Sequence, residues 1–138
     1  MSDVTESVQH HRLVKRLYTA FLDIVPLDCH ALIQTDCPDS QSLPPLTEER
    51  YRPDMYYCFN RILLIGEAKT GKDVSRKHSR EQYEAYIREC LRFQGKAYLI
   101  LAVPWLEEAE ANNILRGLRK KYPGDYKTKV ITWIDGEI

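Results

Sequence analysis

The chain predicts an α/β fold, a mixed sheet flanked by helices, with elements in the order α-β-β-β-α-β-α-β. Three observations carry that expectation. An amphipathic pattern opens the chain, with Leu13, Leu17 and Phe21 on one stripe and Val14, Tyr18 and Leu22 beside it. Two apolar runs, Ile62 to Ile65 and Ala97 to Val103, have no polar face and read as strands covered on both sides. Helical periodicity returns after each run, which interleaves helices with strands and sends them to the sheet's faces. At 138 residues the chain, 1–138, is expected to be a single domain.

Taken in order, residues 5–24 form the first helix. Stepping its buried stripe back by threes and fours reaches His10 and Glu6, although Asp3 and Glu6 also fit a capping box. Residues 29–35 are a plausible first strand. Asp36 to Glu49 is a polar loop whose Pro38, Pro44 and Pro45 argue against regular structure, and its length suits a flap that orders on substrate. Pro53 keeps Arg52 extended, and Met55 to Phe59 has strand composition. A hairpin through Asn60 would return the chain along a second strand, Arg61 to Lys69. Ser79 is the expected N-cap of a helix to about Phe93, with Glu81 in its first turn and Ile87, Cys90 and Leu91 packing beneath. Gly95 ends it, Ala97 to Val103 is a central strand, and Glu107 to Tyr122 is a helix stopped by Pro123-Gly124. Thr128 to Ile134, β-branched and aromatic, closes the sheet.

The chemistry concentrates in Arg52 to Lys72. Side chains alternate along a strand, so Leu63, Ile65, Glu67 and Lys69 share one face and Ile62, Leu64, Gly66 and Ala68 the other. If the hairpin forms, the carboxylates of Asp54 and Glu67 converge. Two close carboxylates repel unless a cation lies between them, and hard oxygen donors suit Mg²⁺ or Mn²⁺. A cation there would acidify water and stabilise charge on a phosphate, with Lys69 orienting the nucleophile or holding a phosphate oxygen. Replacing either carboxylate should then leave the fold intact or more stable. The bland reading of the same residues is an edge-strand Asp and a solvent-facing Glu–Lys pair.

Pro53-Asp54 followed by Glu67-Ala68-Lys69 resembles the PD-(D/E)XK nuclease superfamily, and Gln82 with Tyr86 resembles the Gln-x-x-x-Tyr motif that RecB-like members carry on the helix after the catalytic strand. The resemblance implies a restriction-endonuclease-like α-β-β-β-α-β core, of Holliday-junction-resolvase-like or RecB-like type. It implies a Mg²⁺-dependent deoxyribonuclease, with Mn²⁺ as substitute. Asp54, Glu67, Lys69, Gln82 and Tyr86 would be catalytic. Asp54, Glu67 and the Ala68 carbonyl would bind metal, completed by Glu6, with His10 as its substitute. DNA is the implied substrate, with a homodimer, or a protein partner that delivers the enzyme, as further expectations.

Twenty basic and twenty acidic residues cancel, which excludes a globally basic nucleic-acid coat. The balance is local. From Lys69 to Arg80 only Asp73 opposes five basic residues, and Lys72, Arg76, Lys77 and Arg80 are candidate contacts to a phosphate backbone, unless the segment is merely a solvated loop. Cys29, Cys37, Cys58 and Cys90 form no C-x-x-C pair, so free thiols are expected rather than a zinc site or an iron–sulfur cluster. No apolar run approaches ~18 residues and no signal-peptide core opens the chain, from which a cytoplasmic location away from membranes is expected. Gly66 to Lys72 also fits G-x-x-x-x-G-K, the phosphate-binding loop. Asp73 stands where that motif needs a hydroxyl, and Ser75 to Ser79 reads as loop where a helix should begin. A third class stays open: a binding or assembly module of the same fold without turnover.

Overall fold

Apolar residues spaced by three and four build the first helix, α1, Ser2–Ile24. The computed structural model describes residues 2–133, with side chains from residue 8 onward. Leu13, Leu17 and Phe21 are fully buried, as the stripe requires, whereas Tyr18 at its flank stays 40% exposed. Pro26 stops the helix and leads into a 3-10 helix, Leu27–Leu32, so the strand expected over 29–35 shrinks to β1, Gln34–Thr35. The reason is local. Cys29 N–H donates to Pro26 O at 2.8 Å and Ile33 N–H to His30 O at 3.2 Å, tight turns that the Cys-His-Ala-Leu sequence, poor in β-branched residues, does not resist.

The sheet holds β1, then β2 (Met55–Phe59), β3 (Ile62–Ala68), β4 (Lys96–Pro104) and β5 (Lys127–Trp133), in that spatial order. β1, β2 and β3 pair antiparallel; β4 and β5 continue in parallel with β3. Asn60 at φ 55° and Arg61 at φ 65° form the two-residue turn between β2 and β3, where left-handed conformations match the strands' twist. Asn tolerates that region, and Arg61 enters it at a cost of about 1 kcal/mol.

Parallel strands need crossovers, which α2 (Lys77–Arg92) and α3 (Glu108–Lys121) supply. Both steps run the same way across the sheet, so right-handed crossovers send both helices to one face. There Tyr83, Tyr86, Ile87 and Leu115 pack on Leu63, Ile65, Leu99 and Leu101. The other face goes to α1, whose Leu13, Leu17 and Phe21 meet Leu64, Ala68, Ile100 and Ala102. The alternation read for β3 therefore holds on both sides. Among the described residues no helix is long and apolar enough to cross a membrane.

Two expected details change. Helix α2 begins at Lys77, so Ser79 is a buried residue of its first turn and not the cap. The chain is drawn into the helix early because Tyr83 Oη donates to Val74 O at 2.8 Å and Arg80 Nε to Ser75 O at 3.0 Å. Leu91 is 41% exposed, since α2 turns it past the edge of the packed face that keeps Ile87 and Cys90 buried. Gly95 does punctuate the exit from α2. Its φ is 152°, and a Cβ there would stand 2.4 Å from Arg61 O, the acceptor that Lys96 N–H uses to start β4.

On the opposite face Gly66 is what lets α1 lie against β3. A Cβ at Gly66 would meet Leu17 Cδ2 at 2.8 Å, and Leu17 is fully buried in the core. Gly66→Ala should therefore cost about 1–3 kcal/mol by overpacking, and Leu17→Ala about 2–5 kcal/mol by leaving a cavity. In the double variant the new methyl enters that cavity. Urea unfolding should give a combined loss smaller than the sum of the two.

Candidate active site

β3 carries its polar residues at its C-terminal end, after the apolar run has anchored the strand. Glu67 follows Leu63 and Ile65 toward α2, where it is 5% exposed and accepts a 2.7 Å hydrogen bond at Oε1 from Tyr86 Oη. Lys69 lies one step past the strand. Its N–H extends the ladder to Ala102 O at 3.0 Å, and its Nζ donates to Gln82 Oε1 while standing 3.5 Å from Glu67 Oε2. Gln82 and Tyr86, four apart on one helix face, thus each hold one of the two polar side chains of β3.

Asp54 arrives from the other strand of the hairpin. The ladder between β2 and β3 ends at Met55 opposite Gly66, so Ala68 N–H finds no backbone acceptor there. The Asp54 carboxylate supplies one, with Oδ2 accepting from Ala68 N–H at 2.8 Å. Asp36 N–H holds the Asp54 carbonyl at 2.9 Å, which fixes the residue at both ends. A strand residue sends its N–H and C=O to the same edge, so the Ala68 carbonyl is directed to the Asp54 side as well. From α1, His10 Nε2 stands 3.4 Å from Asp54 Oδ2. Of the two candidates on α1, His10 is brought to the pair, while the Glu6 side chain lies outside the described residues.

The two carboxylates are driven apart in their proton affinity. Burial pushes Asp54 up, but hydrogen bonds from His10 and Ala68 N–H outweigh it and hold Asp54 below the usual carboxylate range. The same contact raises His10, against the opposing effect of its own burial. Glu67 goes the other way. Burial and then the charge of Asp54 push it well above its ordinary value, and Lys69 and Tyr86 offset only part of this. The relief of repulsion expected on removing either carboxylate therefore applies to Glu67. Removing Asp54 orphans the Ala68 N–H instead.

The donor set bears on a metal. Among the described residues no group of three His, Cys, Asp or Glu side chains is arranged to hold an ion as it stands. Mg²⁺, however, is commonly held by one or two carboxylates with waters and substrate oxygens completing the shell. Asp54 and Glu67 offer two such carboxylates, and Glu67 resists ionisation beside the ionised Asp54 even with Lys69 at 3.5 Å.

The basic residues lie on the segment leaving the site. A 3-10 turn, Gly71–Val74, precedes α2; Lys72, Lys77 and Arg80 are exposed, and Arg76 pairs with Asp73 at 2.7 Å. No acidic residue occupies the first turn of α2. Helix onset at Lys77, not directly after Lys72, also departs from a phosphate-binding loop. The sequence reading missed Tyr83, whose hydroxyl ties this turn to α2, and the role of the Ala68 N–H. A tyrosine one residue from Gln82 gave no signal of its own. Compared with known proteins, the chain matches no family model, no curated protein and no solved structure.

Because the folded state raises the affinity of Glu67 for its proton, this group stabilises the fold fully below the unfolded carboxylate range and loses that contribution as pH rises through its folded value. Glu67→Gln keeps an acceptor for Tyr86 and removes the titration. In EDTA its melting temperature should exceed wild type at pH 8 by about 3 °C or more, the shift that ~1 kcal/mol produces in a domain of this size, and the gap should close toward pH 4. An equal gap at both pH values would remove Glu67 as its source.

Proposed function

We propose that this chain is a metal-dependent nuclease that hydrolyses DNA phosphodiester bonds, built on a restriction-endonuclease-like core of the PD-(D/E)XK type. The observation that carries the reading is the buried Glu67 beside Asp54, with Lys69 on the same strand face and Gln82 and Tyr86 above them. The ionised form of Glu67 stays unfavourable even with Lys69 at 3.5 Å, and perturbed ionisable clusters of this kind recur at functional sites.

Asp54, Glu67 and the Ala68 carbonyl would hold Mg²⁺, with Glu6 as the expected further ligand and His10, 3.4 Å from Asp54, as its substitute. The ion would supply Lewis acidity, making water a better nucleophile and offsetting charge on the phosphate. Tyr86 fixes the Glu67 carboxylate through Oε1, and the Ala68 N–H fixes Asp54 through Oδ2, so both acids are oriented before substrate arrives. Gln82 and Glu67 hold the Lys69 ammonium at the same place, where it can hold a phosphate oxygen or guide the attacking water. Lys72, Arg76, Lys77 and Arg80 crowd the start of α2, where a helix dipole disfavours cations. A phosphate backbone would offset that cost and position the polymer without reading its sequence.

A labelled panel of single-stranded, duplex and four-way-junction DNA tests this, incubated with Mg²⁺, Mn²⁺ or EDTA. Cleavage should require metal and fall by about 10²–10³ in Asp54→Asn, Glu67→Gln and Lys69→Met, the range for losing one preorganised group. Lys72→Ala should keep cutting with weaker, more salt-sensitive binding. Full metal-dependent activity in Glu67→Gln would sink the mechanism. DNA binding without cleavage by the folded protein would favour a module without turnover.

A further inference from the structure

Beside Asp54, on the α1 side of the sheet, a cleft of about 660 Å³ opens between α1 and the segment after β1. One wall is a single face of α1, formed by His11, Val14, Lys15 and Tyr18 at helical spacing. The floor is the fully buried Met55, and the facing wall carries Asp36 and Asp39. Asp54 lines the cleft and also belongs to the carboxylate pair, so one residue is common to both.

We infer that this cleft takes an unpaired nucleobase next to the scissile phosphate, so that the substrate is single-stranded DNA or a frayed strand end. This rests on the nuclease reading for the phosphate and on the cleft itself for the base. The lining matches a nucleotide part by part. Val14 offers apolar contact, and Tyr18, 40% exposed, offers a ring on which a base stacks. Asp36 and Asp39 repel phosphate and accept hydrogen bonds from an exocyclic amino group, as carboxylates do from cytosine. His11 and Lys15 lie on the opposite wall, where a flanking phosphate meets a cation and no carboxylate of the facing segment. Orientation follows from this charge split: base toward Asp36 and Asp39, backbone along α1 and past Asp54. A base inside a duplex is stacked and paired, and reaches such a cleft only after leaving the helix.

Binding can be read without metal. A short oligonucleotide carrying 2-aminopurine, whose fluorescence reports stacking, is titrated in EDTA as a single strand and annealed to its complement. Wild type should prefer the single strand. Tyr18→Ala should weaken single-strand binding by about 5–150-fold, the equivalent of one lost base–aromatic stack of ~1–3 kcal/mol, leave duplex binding unchanged, and be rescued by Tyr18→Trp. Single-strand affinity unaffected by Tyr18→Ala would overturn the assignment. The same variants in Mg²⁺ separate the two proposals. Cleavage of paired and unpaired DNA alike, indifferent to Tyr18→Ala, would keep the nuclease and remove the base site. Tyr18-dependent single-strand binding with no cleavage would keep the base site and remove the nuclease.

Discussion

The hydrogen bond from Ala68 N–H to Asp54 joins two strands at the point where their backbones stop pairing, and most of the candidate site hangs from it. Beyond Met55 and Gly66 the hairpin diverges, which would leave a donor at the end of β3 without an acceptor. An unpaired, desolvated N–H costs about 1–3 kcal/mol, so the carboxylate that fills the gap is held by the needs of the backbone. That constraint holds Asp54 beside Glu67, and together with His10 it keeps Asp54 ionised. It also aims the Ala68 carbonyl at the same space.

Glu67 experiences the opposite situation. Its neighbours Tyr86 and Lys69 satisfy its oxygens, yet burial and the charge of Asp54 keep its ionised form unfavourable. Consistency between local sequence preference, packing and electrostatics is the usual mark of a residue serving the fold. Glu67 breaks that consistency at one place, where Tyr86 and Lys69 hold it. The side chains that would act on substrate sit at the ends of β2 and β3 and on α2, while those that would touch its backbone lie on the turn after β3 and the first turn of α2.

The loop over Asp36 to Glu49 has no regular structure but is not loose at its far end. Arg88 Nε holds Glu49 Oε2 at 2.6 Å, and Arg52 Nε donates to Pro44 O at 3.0 Å, so the loop is fastened to α2 and to the approach of β2. At its near end Asp36 serves two neighbours, with its N–H on the Asp54 carbonyl and its side chain in the cleft. Position of the carboxylate pair and shape of the cleft are therefore set by one segment.

Period-two alternation made the face of Glu67 and Lys69 readable in advance, because the direction of a side chain on a strand depends only on counting along it. The helical stripe of Leu13, Leu17 and Phe21, the hairpin through Asn60 and the shared face of Gln82 and Tyr86 were legible for the same reason. Where an outcome depended on partners distant in the chain, the residues alone did not decide it. Tyr83 reaching Val74 moved the start of α2 past Ser79, and Pro26-led turns consumed most of the strand expected before β1. His10 meets Asp54 across 44 positions of sequence, and the cleft beside Tyr18 exists only because α1 and the segment after β1 stop short of each other. Amino-acid order by itself determined which residues share a face; tertiary packing decided which faces meet, because those contacts depend on how separate elements dock and not on any local period.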